Sequence, residues 1–129
     1  MTSESSFRPI AGAAILADEA ARPYDRCWLV VDDQDCWLDA GRAPALAELE
    51  ISMRFGYLAI RAPGMLRLDV PLDVIEDDDS VERTARIGGH EVRVVDEGEL
   101  ASAWFSQWLG QPSRLVKVHP AAGQVAWPA

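Results

Sequence analysis

The clearest signal along the chain is the unbroken apolar run Cys27-Trp28-Leu29-Val30-Val31, which predicts a strand covered on both faces. Cys36-Trp37-Leu38 follows the polar stretch Asp32-Asp33-Gln34-Asp35 and predicts its returning partner. Upstream, Ile10-Ala11-Gly12-Ala13-Ala14-Ile15-Leu16 predicts a strand, and Asp18 to Tyr24 a connection broken by Pro23. Leu46 to Met53 alternates, with Ala47, Leu49, Ile51 and Met53 on one side and Glu48, Glu50 and Ser52 on the other, the pattern of a half-buried strand. Phe55-Gly56 turns the chain into Tyr57-Leu58-Ala59-Ile60-Arg61, and Ala62-Pro63-Gly64 turns it into Met65 to Val70, where Pro71 ends the meander. Val81 to Ile87 and Glu91 to Val95 flank Gly88-Gly89, a dipeptide suited to a two-residue hairpin turn.

One segment has helical periodicity. From Glu97 to Leu109, the residues Leu100, Ala101, Trp104, Phe105, Trp108 and Leu109 share one wide apolar face. Asp96 with Glu99 three residues on resembles a capping box, and Gly110 with Pro112 marks the end. Arg114-Leu115-Val116-Lys117-Val118 predicts a last strand, with a core spanning about 7–120 and a loose tail over 121–129. The expected fold is mostly β with one principal α-helix, a closed or nearly closed β-barrel with that amphipathic helix packed on or plugging it.

Composition narrows the function. A chain of 129 residues, 49% hydrophobic, encloses one core and is too short for two ordinary domains. Twenty-one acidic against 12 basic residues leave a net charge of -9, which disfavours nucleic acid and membrane surfaces as partners. No apolar run approaches the roughly 20 residues of a bilayer span. The start Met1 to Ser6 lacks both the basic end and the apolar stretch of a signal peptide, so the expected location is cytoplasmic.

Candidate chemistry is sparse. Cys27 and Cys36 flank the turn with several positions between Cys27 and the residue expected opposite Cys36, so both are read as reduced structural thiols. Asp77-Asp78-Asp79, within the charge run that begins at Glu76, lacks the alternating ligands and central glycine of a calcium loop and reads as solvated. His90 and His119 have neither i, i+4 partners nor cysteines at zinc spacing, so no metal is expected. Ser102 and Ser106 lie on the helix without a glycine elbow and read as helix-surface residues. Gly88-Gly89 precedes a strand, which excludes a phosphate loop. Trp104 and Trp108 fit a partner-binding stripe or core packing, and in so small a domain core packing is expected. No catalytic constellation is left.

The order of motifs carries more than their chemistry. Tyr24-Asp25-Arg26-Cys27-Trp28-Leu29-Val30-Val31-Asp32, then Trp37-Leu38, Pro44-Ala45-Leu46-Ala47 and Ala62-Pro63-Gly64-Met65, resemble the N-terminal β-barrel domain of MOSC proteins. Ala103 to Pro112 with Arg114-Leu115-Val116 is similar to that domain's closing helix and strand. In two-domain members the barrel precedes a MOSC domain, molybdenum cofactor lies in the cleft, and a cysteine of the second domain binds the metal. The resemblance implies sulfur transfer or reduction of N-oxygenated substrates for such enzymes, and Cys27 and Cys36 do not correspond to their metal-binding cysteine.

The same resemblance assigns the barrel's contacts to the cofactor's anionic end to a Pro-Val-Lys-Ser segment and to the arginine of Asp-Arg-x-Trp. Arg26 carries over as a cofactor-binding residue, whereas Pro9-Ile10-Ala11-Gly12 places Ala11 and Gly12 where lysine and serine would stand. Asp39-Ala40-Gly41-Arg42 replaces a Thr-Gln-Arg-like stretch, putting a carboxylate at a polar anchor. Each charge-assisted donor lost to phosphate forfeits roughly 1.5 to 3 kcal/mol. The expected function is therefore a non-catalytic binding or interaction domain with no cofactor of its own, its acidic surface suited to a MOSC-domain or basic-surfaced protein partner. Two alternatives stand beside it: an accessory subunit holding the phosphate end of molybdenum cofactor through Arg26 while another polypeptide supplies the metal ligand, and a small-molecule binder using the barrel mouth.

Overall fold

A computed structural model describes residues 7–13, 15–16, 18–39, 41–72 and 82–119 and the single positions 122, 125 and 127. The acidic run 76–79 lies outside the described residues. Seven strands form two antiparallel sheets: β1 (Trp28–Val31), β7 (Arg114–Val118), β6 (His90–Asp96) and β5 (Glu82–Ile87) in that order, and β2 (Glu50–Arg54), β3 (Tyr57–Arg61) and β4 (Leu68–Pro71). Mostly β with one principal helix is thus observed, α1 spanning Glu99–Leu109. The expected barrel closure is not: among the described residues no ladder joins the two sheets. Isolated bridges link the edges of the larger sheet, Trp37 to Val31 of β1 and Cys36 to Arg86 of β5. Segment 35–38 bonds to both strands, with Leu38 N–H to Val30 O at 2.8 Å, Trp37 N–H to Arg86 O at 2.9 Å and Arg86 N–H to Asp35 O at 2.8 Å, and it forms no strand of its own.

β1 is buried at every position, as its unbroken apolar run predicts. Its side chains alternate between two interiors. Trp28 and Val30 join a cluster with Leu58, Ile60, Leu68 and Val70 of the smaller sheet, Phe105 of α1 and Leu115. Leu29 and Val31 join a second cluster on the other face, with Ile87, Val92, Val94 and Val116. Trp28 is the hub of the first. Its ring is wholly buried, stacks on Tyr24 at 6.0 Å, has the Lys117 ammonium 5.1 Å from its centroid, and donates its indole N–H to a Glu97 carboxylate oxygen at 2.5 Å.

The hairpins follow their turn residues. Gly88 and Gly89, at φ 55° and 86°, connect β5 to β6 with Ile87 opposite His90. The meander β2-β3-β4 is present, and Pro71, which cannot donate to a ladder, is its last residue. Two expected strands are corrected. The described residues 10–13 and 15–16 form no strand: Gly12 takes φ 92° and turns the chain, leaving Ile10 in a parallel bridge with Trp28 and Leu16 in a bridge with Phe7. Residues 46–53 divide, because Pro44 at a first helical position starts a 3-10 helix, Pro44–Glu48, that buries Leu46 and exposes Ala47. The alternating half then continues as β2.

α1 starts two residues later than the periodicity predicts. Its N-cap is Gly98 at φ 108° with no side-chain cap, so the expected capping box is absent. Asp96 instead accepts from Gly98 N–H at 2.9 Å and from Arg114 at 2.5 Å, and Glu99 pairs with Arg114 at 3.2 Å. The apolar face is also narrower than expected, with Leu100 exposed and Ala101, Trp104 and Phe105 buried in the first cluster. Gly110 closes the helix in the left-handed conformation with its N–H on Ser106 O. Trp104 donates to Leu66 O at 2.6 Å, which ties the helix to the turn before β4.

Trp108 contrasts with it: its indole N–H is buried without a partner. Trp108→Phe removes that donor and keeps an aromatic ring in place, so urea unfolding should show a change of less than about 1 kcal/mol of either sign. A larger loss would mean that the indole N–H makes a bond in solution.

Candidate functional site

Two of the three segments singled out as anion contacts run side by side. Arg8 N–H donates to Asp25 Oδ1 at 2.8 Å, Arg26 N–H to Arg8 O at 2.7 Å, Trp28 N–H to Pro9 O at 2.9 Å and Ala11 N–H to Trp28 O at 2.8 Å, so residues 8–11 run alongside 25–28. Arg26 itself sits at φ 53°, in the left-handed region that non-glycine residues seldom enter. Its place between the 3-10 helix Glu19–Tyr24 and β1, with the bond to Arg8, holds it there. The side chain is exposed and makes no ion pair with a described residue.

An aromatic side chain from the end of the chain meets it. The Arg26 guanidinium carbon lies 5.9 Å from the centroid of Trp127, and Trp127 packs edge-on against Trp37 at 5.0 Å and 71°. Trp37 in turn donates its indole N–H to Ala11 O at 3.3 Å. The expected loose tail, 121–129, is described only at 122, 125 and 127, and at those three positions the side chains pack against the second cluster. Sequence reading missed this contact; a tryptophan within an otherwise small-residue tail was the signal.

The third segment is occupied internally. Asp39 Oδ1 accepts from Arg42 N–H at 2.9 Å, while the Arg42 guanidinium bonds Asp32 Oδ2 at 2.8 Å and Trp37 O at 3.2 Å. Burial pushes the Asp32 carboxyl up, but the hydrogen bonds from Arg42, Cys36 N–H and Gln34 N–H outweigh it and hold the group below the usual carboxylate range. Arg42 is thereby committed to a structural ion pair.

These residues do not fit the anionic end of a molybdenum cofactor as the resemblance describes it. Ala11 and Gly12 bring no side-chain donor, Asp39 brings negative charge, Arg42 is paired, and Arg26 alone remains. The other candidates fall elsewhere. Cys27 and Cys36 are free thiols, with Cys36 Sγ 3.8 Å from Gln34 O. His90 is exposed at the Gly88-Gly89 hairpin, and His119 N–H donates to Arg93 O. Among the described residues no three His, Cys, Asp or Glu side chains form a metal-ligand group. Ser102 and Ser106, read as surface residues, are half-buried: both hydroxyls donate to Ser113 O, at 2.7 and 3.1 Å, and Ser106 Oγ accepts from Ser113 N–H at 2.9 Å. They fasten α1 to the start of β7.

Comparison with known proteins agrees with the motif order. The profile of the MOSC N-terminal beta barrel domain matches residues 6–112. Molybdenum cofactor sulfurase of Danio rerio is 34% identical over 100 residues, which cover 75% of this chain and 12% of that protein. The Homo sapiens sulfurase is 32% identical over 73% of this chain and 11% of its own length. Mitochondrial amidoxime reducing component 2 of Rattus norvegicus is 29% identical over 72% of this chain and 27% of its own length. The chain therefore spans about an eighth of the sulfurases it matches. A Bordetella bronchiseptica protein known from a solution structure has 48% identity and a TM-score of 0.84, covering 99% of this chain and 98% of that one.

Proposed function

Because this chain belongs to the family of MOSC N-terminal beta barrel domains, related to those of molybdenum cofactor sulfurase and the amidoxime-reducing components, we propose that it is a non-catalytic binding domain that docks on another polypeptide. The observation that carries the reading is the state of the three anion-contact segments. Two of them offer no free side-chain donor, and the third offers one guanidinium, 5.9 Å from the Trp127 ring centroid. Phosphate recognition relies on several charge-assisted bonds at once, each contributing roughly 1.5 to 3 kcal/mol, and a single arginine supplies too few. The architecture supports binding, while the chemistry of the family's site is stripped away.

The net charge of -9 favours a partner with a basic surface, and a MOSC-domain protein is the first candidate by kinship. The surface around Arg26 is the one the resemblance turns toward a second domain. A cross-linked pull-down from the source cell, combined with molybdenum and pterin analysis of the recovered material, tests this. The expected result is a stoichiometric protein partner, molybdenum and pterin fluorescence at background, and no change in either for Arg26→Ala. Molybdenum or pterin that copurifies and disappears in Arg26→Ala would replace this reading with that of an accessory cofactor-holding subunit.

A further inference from the structure

Two open sheets present four edges, and three of them are covered or blunted. β1 is bridged by Ile10 and by Trp37, and β5 by Cys36. β4 ends in Pro71, which has no N–H to offer a further strand. β2 has neither cover nor blunting among the described residues. Its residues pair with β3 without a bulge and include no proline, and its inner side carries no charge, only Ile51 and Met53 half-buried against the first cluster. An edge with none of the usual protections is open to one more strand.

The phase of the ladder fixes what that strand would meet. Arg54 and Tyr57 flank the two-residue turn Phe55-Gly56, whose φ values of 51° and 82° are both positive, so they form a hydrogen-bonded pair, as do Ser52 with Ala59 and Glu50 with Arg61. The N–H and C=O groups of Ile51 and Met53 therefore point away from β3, and no described backbone group bonds them. The strand is also its own complement. Antiparallel pairing of Glu50-Ile51-Ser52-Met53-Arg54 with a second copy, centred on Ser52, sets Glu50 against Arg54 and Ile51 against Met53. The same register joins the outward groups of Ile51 to those of Met53, so hydrogen bonding and side-chain match coincide. Sliding by two residues, which keeps the hydrogen bonds, sets Glu50 against Ser52 or Gly56 and loses the match. Within one chain neither Glu50 nor Arg54 makes an ion pair with a described residue.

We propose that β2 pairs antiparallel with β2 of a second copy of this chain about a twofold axis at Ser52, which joins the three-stranded sheets edge to edge. The apolar inner face then runs on across the junction through Ile51 and Met53, and each Glu50 lies between Arg61 of its own β3 and Arg54 of the other copy. The contact is self-complementary and closes at two chains. A single strand pair is at the low end of interface sizes, so the association is weak and concentration-dependent. It uses a different sheet from β1 and does not rest on the reading of Arg26.

Sedimentation equilibrium of the full chain, up to millimolar concentration and at about 0.15 M salt, tests the proposal. The Debye length there is about 8 Å, which screens the net charge of -9 between copies and spares directly opposed pairs. Expected are a reversible shift from monomer to dimer and concentration-dependent amide shifts centred on 50–54. Glu50→Arg and Arg54→Glu each oppose like charges twice in the dimer, and each should raise its dissociation constant about tenfold or more. An equimolar mixture of the two variants restores opposite charges at both positions and should associate as the original chain does. Misfolded variants could not produce that rescue. A chain that stays monomeric throughout, single variants that associate as tightly as the original, a mixture no tighter than its components, or shifts centred elsewhere would each overturn the proposal.

Discussion

Trp28→Ala is expected to remove about 4 kcal/mol of unfolding free energy, more than a single core residue usually contributes. The ring is wholly buried, flanked by Tyr24 and Lys117, and is the largest side chain of a cluster that draws on both sheets and the helix. Its removal leaves a cavity where four elements meet and takes from the half-buried Glu97 carboxylate the 2.5 Å bond it had accepted. Against a total stability of roughly 5–15 kcal/mol, such a loss brings a small domain close to unfolding at ambient temperature. Urea titration followed by circular dichroism measures it. Trp28→Phe, which keeps one six-membered ring and loses the pyrrole part of the indole with its N–H donor, should cost about 1–3 kcal/mol. Equal, small effects of both variants would show that the cluster does not depend on this side chain.

The second large effect is expected from Phe105→Ala, at about 3–5 kcal/mol. Phe105 is fully buried on the inner face of α1 and meets Trp104 edge-on at 4.9 Å and 67°. The serine bonds to Ser113 and the Trp104 bond to Leu66 tie the helix to both sheets, so its loss of anchorage should be felt throughout. Helical ellipticity and tryptophan fluorescence should therefore shift together to lower urea. If the helix melts first while the sheets persist, α1 is an appendage and not part of the cooperative unit.

What the sequence revealed and what it concealed divide along physical lines. The run 27–31 was legible because continuous apolar residues have one explanation in a small β domain, and both faces of β1 are in fact buried. Gly88-Gly89 was legible because few other dipeptides tolerate two positive φ values. Residues 10–16 and 46–49 misled because apolar character does not distinguish a strand from a buried turn once Gly12 or Pro44 intervenes. The helix start was placed too early because Asp96 bonds the N–H of the N-cap Gly98, not one in the first turn, and binds Arg114 across the fold, a long-range partner that no local pattern announces. At the site, missing lysine and serine were readable as absences. The engagement of Arg42 by Asp32 and of Arg26 by Trp127 required the fold, since 10 residues separate the first pair and the second joins opposite ends of the chain.

The division of β1 between two interiors has a consequence for how this domain tolerates change. In a sheet with one wet side, a single-residue deletion turns oily groups outward and is punished by water. Here a deletion within 28–31 would carry each side chain from one dry compartment to the other, pressing the indole of Trp28 into room shaped for a leucine or a valine. Polarity would be unchanged and only shape would object, so insertions and deletions in this strand should be filtered by volume alone.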